Sequence, residues 1–584
     1  MHEPLCGGFI FSLMCYHQCM TDILTHFNNK RILNLEKITA FLKKNNSFMV
    51  SGLTSFLRLF LLADISRQKR TVFVTNTEQN ALKYKHDLEK FFNIESQIFP
   101  YQDISIYDGV APNLYKYAQQ VEILKNLEKI PLLIVPVKAM LEKFPETSFY
   151  EKNAINIKLD DEIDTSQIAQ KLVSLGYKRV TMVSDIGEFS LRGDIIDVFS
   201  LNKYAARIEL WGDTVTDIRY FDNKTQRSVK KIKETTILPV YKFLLDEDNA
   251  ETFKNELTQA AVTMDSGENA DIVRENLQET LEKIDTEKYF DGIDYFQSYL
   301  NKKMKSLPQL LSDSQNPPAL VLDESSEIFS KFAQIDENYE KQIEENTQKA
   351  LALPLKNKAH LDFADFQTAV AGLQKISFDN FLDTVSDYTI EFESSLIPSF
   401  SSKMEEILAF VEDRMQKGYK VVIASDYKNR IEDVFCDFEL AVSDDFSVQN
   451  EVFLTDNLAL GGSAVEELKL VVLTDKELFN KKSKDITAKK QNYHKESADY
   501  IESVNDIKEG EYVVHQVHGV GLYKGLSKQE IDGQLKDYLT IEYAQGDKLH
   551  MPAEQINLLV RYRGSGAVAP RLSRMGGNDW NITK

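Results

Sequence analysis

The sequence predicts a multidomain protein of the α/β and α+β classes, and three observations carry that reading. From about residue 36 to 145, short β-branched runs such as "RTVFVTN" (70–76) and "PLLIVPV" (131–137) alternate with amphipathic stretches such as "EQNALKYKHDLEKFF" (78–92) and "LYKYAQQVEILKNL" (114–127). That alternation is the mark of a parallel α/β layer. From about 150 to 240 the apolar period drops to two, in "INIKL", "RVTMV", "IIDVF", "ARIEL", "TVTDIRYFD" and "TILPV", which predicts an inserted antiparallel-rich domain. From 506 to 562 the pattern is again strand-like and compact, and the Asp-Gly pair at 532–533 is a hairpin turn signal.

The remaining elements follow in order. Residues 1–35 form an N-terminal extension. Its "LCGGFIFSLMCYHQCM" lacks a basic leader and an A-x-A site and is too short to span a bilayer. Translation starting at Met20 is the simpler reading. The first α/β domain begins at 36–148, gives way to the insert at 149–240, and resumes, mostly helical, over 241–385. "PPALVLDESSEIF" (317–329) reads as a strand ending in paired carboxylates and running into a helix. A second small α/β domain covers 386–480, with "SSKMEEILAFVEDRMQKG" (401–418) a helix closed by Gly418. A lysine-rich linker at 481–505 leads to the β module at 506–562 and a basic tail at 563–584.

Composition bounds the function. At 584 residues, 43% apolar and 27% charged, the chain has ample core. A net charge of −21 makes it a poor bulk binder of nucleic acid and favours protein partners. Cys6, Cys15 and Cys19 cluster near the start and Cys436 stands alone, with no zinc spacing or disulfide framework. This suits a reducing cytoplasm, and no segment reads as a membrane span.

"VSGLTSFLRLFLLAD" (50–64) has the layout of a phosphate-binding loop without its chemistry. Counting from Gly52 along G-x-x-x-x-G-K-[ST], the second glycine falls on Leu57, the lysine on Arg58 and the hydroxyl on Leu59. Leucine cannot ligate Mg²⁺, so no bound nucleotide and no hydrolysis are expected. Asp323 and Glu324 in "LVLDESSE" look like the acidic pair that ends a Walker B strand in helicase-like folds. Together they suggest a degenerate NTPase-like domain kept as a scaffold.

"RGDIIDVF…RIELWGD…IRYFD…TQRS" (192–228) resembles the insert domain shared by the excinuclease B protein and the transcription-repair coupling factors. In that family the insert docks the damage-recognising excinuclease A protein. The resemblance places the contacts on Arg192, Arg207 and Trp211; taken alone, Trp211 serves equally as core. "GEYVVHQVHGVGLYKGL…DYLTIEYAQGDKLHMPAEQINLLVRY" resembles the family's CarD-like RNA-polymerase-interacting domain, which excinuclease B lacks. This implies a small Tudor-like β-barrel offering an edge strand near Leu526–Ile531, with Lys528, Gln529, Glu530 and Ile531, to the RNA polymerase β subunit. His515 and His518 belong to that segment rather than to a metal site.

The resemblance therefore implies the docking half of a transcription-repair coupling factor. The family's ATP- and Mg-dependent motor, which carries most of its contact with double-stranded DNA, is expected to be missing, leaving a fragment, a split gene product or a truncated form. No cofactor, metal or catalytic residue is expected in this chain. A polymerase-binding transcription regulator without a repair role is the alternative. A self-sufficient nucleic-acid-dependent ATPase is disfavoured by the missing lysine and the net charge of −21.

Overall fold

The computed structural model describes residues 27, 32–101, 113–223, 225–245, 247–264, 270–286, 289–290, 293–301, 303–348, 361–380, 388–448, 450–481, 509–515, 519–531, 534–552 and 559–561. The chain divides into two compact units, 1–489 and 490–584. The N-terminal cysteines, the lysine-rich linker after Lys481, the Asp-Gly turn, His518 and the basic tail lie outside the described residues.

The first unit is organised by a seven-stranded sheet in which every pairing is parallel. Its spatial order is Thr389–Glu391, Phe48–Ser51, Gln374–Phe378, Ala319–Asp323, Thr71–Thr75, Leu132–Pro136, Gln97–Ile98. The apolar runs "TVFVT", "LLIVP" and "ALVLD" are buried along their whole length, as a sheet covered on both faces requires. Two central strands come from chain that returns after the insert. Thr389–Glu391, grouped in sequence with the second α/β domain, completes this sheet at its edge.

Helix Ser55–Gln68 follows strand Phe48–Ser51 and is buried from Phe56 through Ser66. A helix apolar all round belongs inside a protein. Phe56, Leu59, Phe60 and Leu62 share one core with Phe73 and Ile376 of the first sheet and with Val422, Phe453, Leu470 and Val472 of the second α/β domain. Asp87, fully buried, ties the two together by accepting from the Ala459 and Leu460 amides, each at 2.9 Å.

The same burial strands Asp64, which is 2% exposed and accepts from Gln68 Nε2 at 2.8 Å. Burial pushes its carboxyl up to about 6. A carboxyl raised on folding favours the folded state below its unfolded value, near 4, and that contribution is lost as pH rises through about 6. The shift costs up to about 3 kcal/mol at neutral pH. Asp64→Asn is therefore expected to gain stability relative to the natural chain between about pH 4.5 and about pH 7.5. Urea unfolding midpoints at both values check it, and an equal difference at the two would refute it.

The insert is closed at its base, because Ile155–Lys158 pairs antiparallel with Glu234–Ile237. Beside this stem Lys242 Nζ meets Glu142 Oε1 at 2.5 Å, both side chains buried. Above it lies a six-stranded sheet in the order Ser228–Ile232, Thr214–Phe221, Ala205–Trp211, Ile195–Val198, Glu188–Arg192, Lys178–Arg179, antiparallel but for the last pair. Helix Thr165–Ser174, capped by Asp164, packs Ile168 and Leu172 into the same core. The expected strand "RVTMV" stops at Arg179. Val183 instead turns into a second cluster with Phe199 and Phe221, and its carbonyl is held by Gln226 Nε2 at 3.0 Å. The helices Glu247–Met264 and Ala270–Thr286 form their own core around Leu257 and Val273.

The second α/β region holds a six-stranded mixed sheet, in the order Ser394–Ser395, Ser463–Val465, Leu470–Thr474, Lys420–Ala424, Val452–Thr455, Val442–Ser443. Helix Met404–Gln416 ends as expected, with Gly418 at φ 75° donating to Met415 O. The second unit is a five-stranded antiparallel sheet, in the order Lys548–Pro552, Gln534–Glu542, Gly519–Ile531, Tyr512–His515, Leu559–Arg561. Among the described residues no pairing joins its two outer strands into a barrel.

Candidate functional site

The segment from Gly52, read in the sequence as a degenerate phosphate loop, is packed against other segments of the chain. Gly52 has φ 71°, and a Cβ there would lie 1.9 Å from Phe392 O, so glycine is required by a crossing chain. The Leu53 amide donates to Asn380 Oδ1 at 3.0 Å and the Thr54 amide to Ser394 Oγ at 3.1 Å. Ser394 Oγ donates back to Gly52 O at 2.5 Å. Leu57 and Leu59 are wholly buried.

Arg58, which falls at the lysine position of the expected loop pattern, turns inward. Its Nη1 meets Asp323 Oδ1 at 2.6 Å and Phe378 O at 3.3 Å, and its Nη2 meets Glu324. In the sequence Arg58 and the acidic pair are separate remnants; the fold joins them. Burial pushes the Asp323 and Glu324 carboxyls upward against the pull of the guanidinium. Asp323 also hydrogen-bonds Tyr84, whose hydroxyl is raised well above its ordinary range by burial. Glu324 itself sits at φ 57°, a left-handed conformation that a non-glycine residue adopts at a cost.

The insert presents its three predicted residues on one sheet face. Two Gly-Asp turns set this up. Arg192 pairs with Ile195 around Gly193-Asp194, and Trp211 pairs with Thr214 around Gly212-Asp213. Both glycines have positive φ at the first turn position, 58° and 63°, as two-residue hairpins of this kind require. Leu210 N donates to Asp194 O at 2.8 Å, so the two turns lie side by side. Trp211 is 82% exposed, which removes the core reading. The repeated tripeptides "RGD" and "WGD" are the sequence signal for this rim.

Arg207, on the same strand as Trp211, is more buried. Its Nε and Nη2 meet Asp197 Oδ1 and Oδ2 at 2.6 and 2.8 Å, and its guanidinium lies 4.6 Å from the Phe221 ring centre. Hydrogen bonds from Arg207 to Asp197 hold the guanidinium charged. Arg192 Nη2 meets Asp197 Oδ2 at 2.6 Å. The face continues as a charge ladder that sequence reasoning missed: Arg219 meets Glu209 and Asp217, and Lys231 meets Asp217 at 2.9 Å. Asp217 and Arg219 stand opposite Glu209 and Arg207 in the register, which fixes these pairs.

In the second unit, strand Gly519–Ile531 pairs with Gln534–Glu542 as far as Ile531 opposite Gln534. On its other edge, pairing with Tyr512–His515 ends at Leu522, and Tyr523 exchanges backbone hydrogen bonds with Gly510 and Glu511. Beyond Gly525 that edge has no partner among the described residues. Leu526 is 51% exposed. Lys528, Gln529, Glu530 and Ile531 are placed in the strand by their backbone alone. Among the described residues no group of His, Cys, Asp and Glu is placed to hold a metal ion.

Residues 155–243 match the UvrB interaction domain, and residues 507–563 match the CarD-like/TRCF RID domain. The chain is 27% identical over 587 residues to the transcription-repair-coupling factor of Bacillus subtilis, covering 94% of this chain and 49% of that protein. Along almost its whole length, the chain is similar to the transcription-repair-coupling factors. Those of Staphylococcus aureus (strain MRSA252) and Staphylococcus haemolyticus are each 26% identical, over 94% and 95% of this chain and 49% and 48% of their own. The chain thus spans about half the length of the coupling factors it matches. The match to the UvrB interaction domain encloses the Trp211 face, and the match to the CarD-like domain encloses the half-paired strand.

Proposed function

We propose that this chain is a docking portion of a transcription-repair coupling factor, linking stalled RNA polymerase to nucleotide excision repair. The insert binds excinuclease A through the face carrying Arg192, Arg207 and Trp211. The C-terminal module adds a strand, along 526–531, to the RNA polymerase β subunit. The observation that carries the reading is one chain holding an insert with a solvent-facing tryptophan between arginines and a module with a half-paired strand, each inside a matching domain. Translocation on double-stranded DNA is not assigned to these residues. With these partners the chain works in the cytoplasm; among the described residues no helix is long and apolar enough to cross a membrane.

Trp211→Ala tests the first surface. Exposed aromatic anchors typically cost ~2 kcal/mol or more on truncation, roughly thirtyfold in affinity. Binding to purified excinuclease A is expected to weaken by that factor while the unfolding midpoint stays put, because the ring is exposed. Unchanged affinity would remove the assignment. Arg207→Glu is a poor test, since it sets a second carboxylate against buried Asp197. Association with polymerase but not with excinuclease A would favour a transcription regulator without a repair role.

The filled loop is proposed to bind no nucleotide, and the chain to release no phosphate from ATP with or without DNA. DNA-stimulated phosphate release that disappears on Asp323→Ala would overturn this.

A further inference from the structure

The docking face is built around a residue that no partner can reach. Asp197 is fully buried, in the middle of the insert sheet, opposite Arg207 on one neighbouring strand and Ser190 on the other. A buried carboxylate is costly unless paired and hydrogen-bonded. Here both oxygens are engaged, Oδ1 by Arg207 Nε and Oδ2 by Arg207 Nη2 and Arg192 Nη2, all within 2.8 Å. The Arg207 guanidinium lies over the Phe221 ring, 4.6 Å from its centre.

The two arginines face opposite ways in energy terms. Arg207 is mostly buried, and its side chain keeps 16% exposure. Arg192 keeps 49%, and beyond its Nη2 contact its Nε and Nη1 have no hydrogen-bond partner among the described residues. A guanidinium carries five N–H donors in a rigid fork suited to carboxylates. A free arginine side chain loses much rotamer entropy on docking; one already held from behind loses less.

We propose that Asp197 is the positioning residue of this face: its buried carboxylate fixes both guanidinium groups, and Arg192, so held, presents its spare donors to a carboxylate on an acidic partner surface. The proposal rests on the docking role assigned above to the insert. It predicts that Arg192 contributes to binding only while Asp197 is present to hold it.

The test measures the effect of Arg192→Ala on affinity for excinuclease A in two backgrounds of the whole chain. One is the natural sequence. The other is Asp197→Asn with Arg207→Met, which removes the buried charge together with its main partner, so that no unpaired ion remains. In the natural background Arg192→Ala is expected to weaken binding about tenfold; in the second, by less than about twofold. The second background itself is expected to bind about tenfold more weakly than the natural chain. An equal loss in both backgrounds overturns the positioning role and leaves the docking face standing. Undiminished affinity of Trp211→Ala in the natural chain overturns the docking face, and the positioning role with it. Asp197→Glu keeps the charge and moves the oxygens by one methylene. In a chain whose circular dichroism is unchanged, it is expected to weaken binding about fivefold, and undiminished affinity overturns the proposal.

Discussion

Arg58→Leu is expected to destabilise the first unit by about 3–5 kcal/mol, the cost of leaving one member of a buried ion pair without its partner. The guanidinium is 7% exposed and bridges Asp323 and Glu324 while also donating to Phe378 O. Leucine fits the surroundings, since Leu57 and Leu59 already lie in the same core. The loss therefore comes from Asp323, which is 8% exposed and would keep only Tyr84. Replacing the acids as well, with Asp323→Leu and Glu324→Gln, should recover most of the stability, because buried pairs contribute little over apolar residues of similar size. Urea unfolding of the three chains checks it. A single Arg58→Leu that costs under about 1 kcal/mol would mean that the bridge is not holding the loop remnant to the sheet.

The second large effect concerns the polymerase. A proline in strand Gly519–Ile531 deletes an N–H and forbids pairing on that side. In an antiparallel ladder successive amides point to alternate edges. Of Lys528→Pro and Gln529→Pro, one therefore removes a bond to Gln534–Glu542, and the other touches only the open edge. The variant that spares the internal ladder is expected to lose polymerase binding while keeping its circular dichroism. Two or three backbone hydrogen bonds at ~1 kcal/mol each correspond to roughly thirty- to hundredfold in affinity. Alanine at 528, 529 and 530 should change binding by less than about threefold, since the backbone does the pairing. A folded proline variant with undiminished binding would place the polymerase surface elsewhere on this sheet.

Much of the fold was legible because burial leaves a plain trace. The runs at 71–75, 132–136 and 319–323 are strands buried along their length and read as unbroken apolar segments. Gln374–Phe378 escaped because Lys375 and Ser377, at half-buried positions, interrupt its pattern although it lies in the middle of the sheet. Glu188–Arg192 and Ser228–Ile232 escaped for a like reason: one is bounded by charged residues and buries adjacent Phe189 and Ser190, which breaks alternation, and the other is an exposed edge rich in lysine. The sequence names candidate residues one by one but not their couplings. Nothing local in the sequence says that Arg58 reaches across 265 positions to Asp323, or that Asp197 pairs with both Arg192 and Arg207. Such pairs follow from strand order and register, which only the assembled sheets provide.

The closed base of the insert has a consequence for how such a domain travels. Its two ends are neighbouring strands, Ile155 opposite Ile237, so the chain enters and leaves the module at one narrow stalk. A stalk of that kind lets a cassette be spliced into a surface loop of an unrelated scaffold without stretching either chain. Transplantation here would not be free. Val183, Ile186, Phe199 and Leu201 lean on Tyr117, Ala118 and Val121 of the host helix Leu114–Lys125. A recipient must supply an equivalent apolar ridge, or those four side chains must be recoded as polar, before the graft stays dissolved on its own.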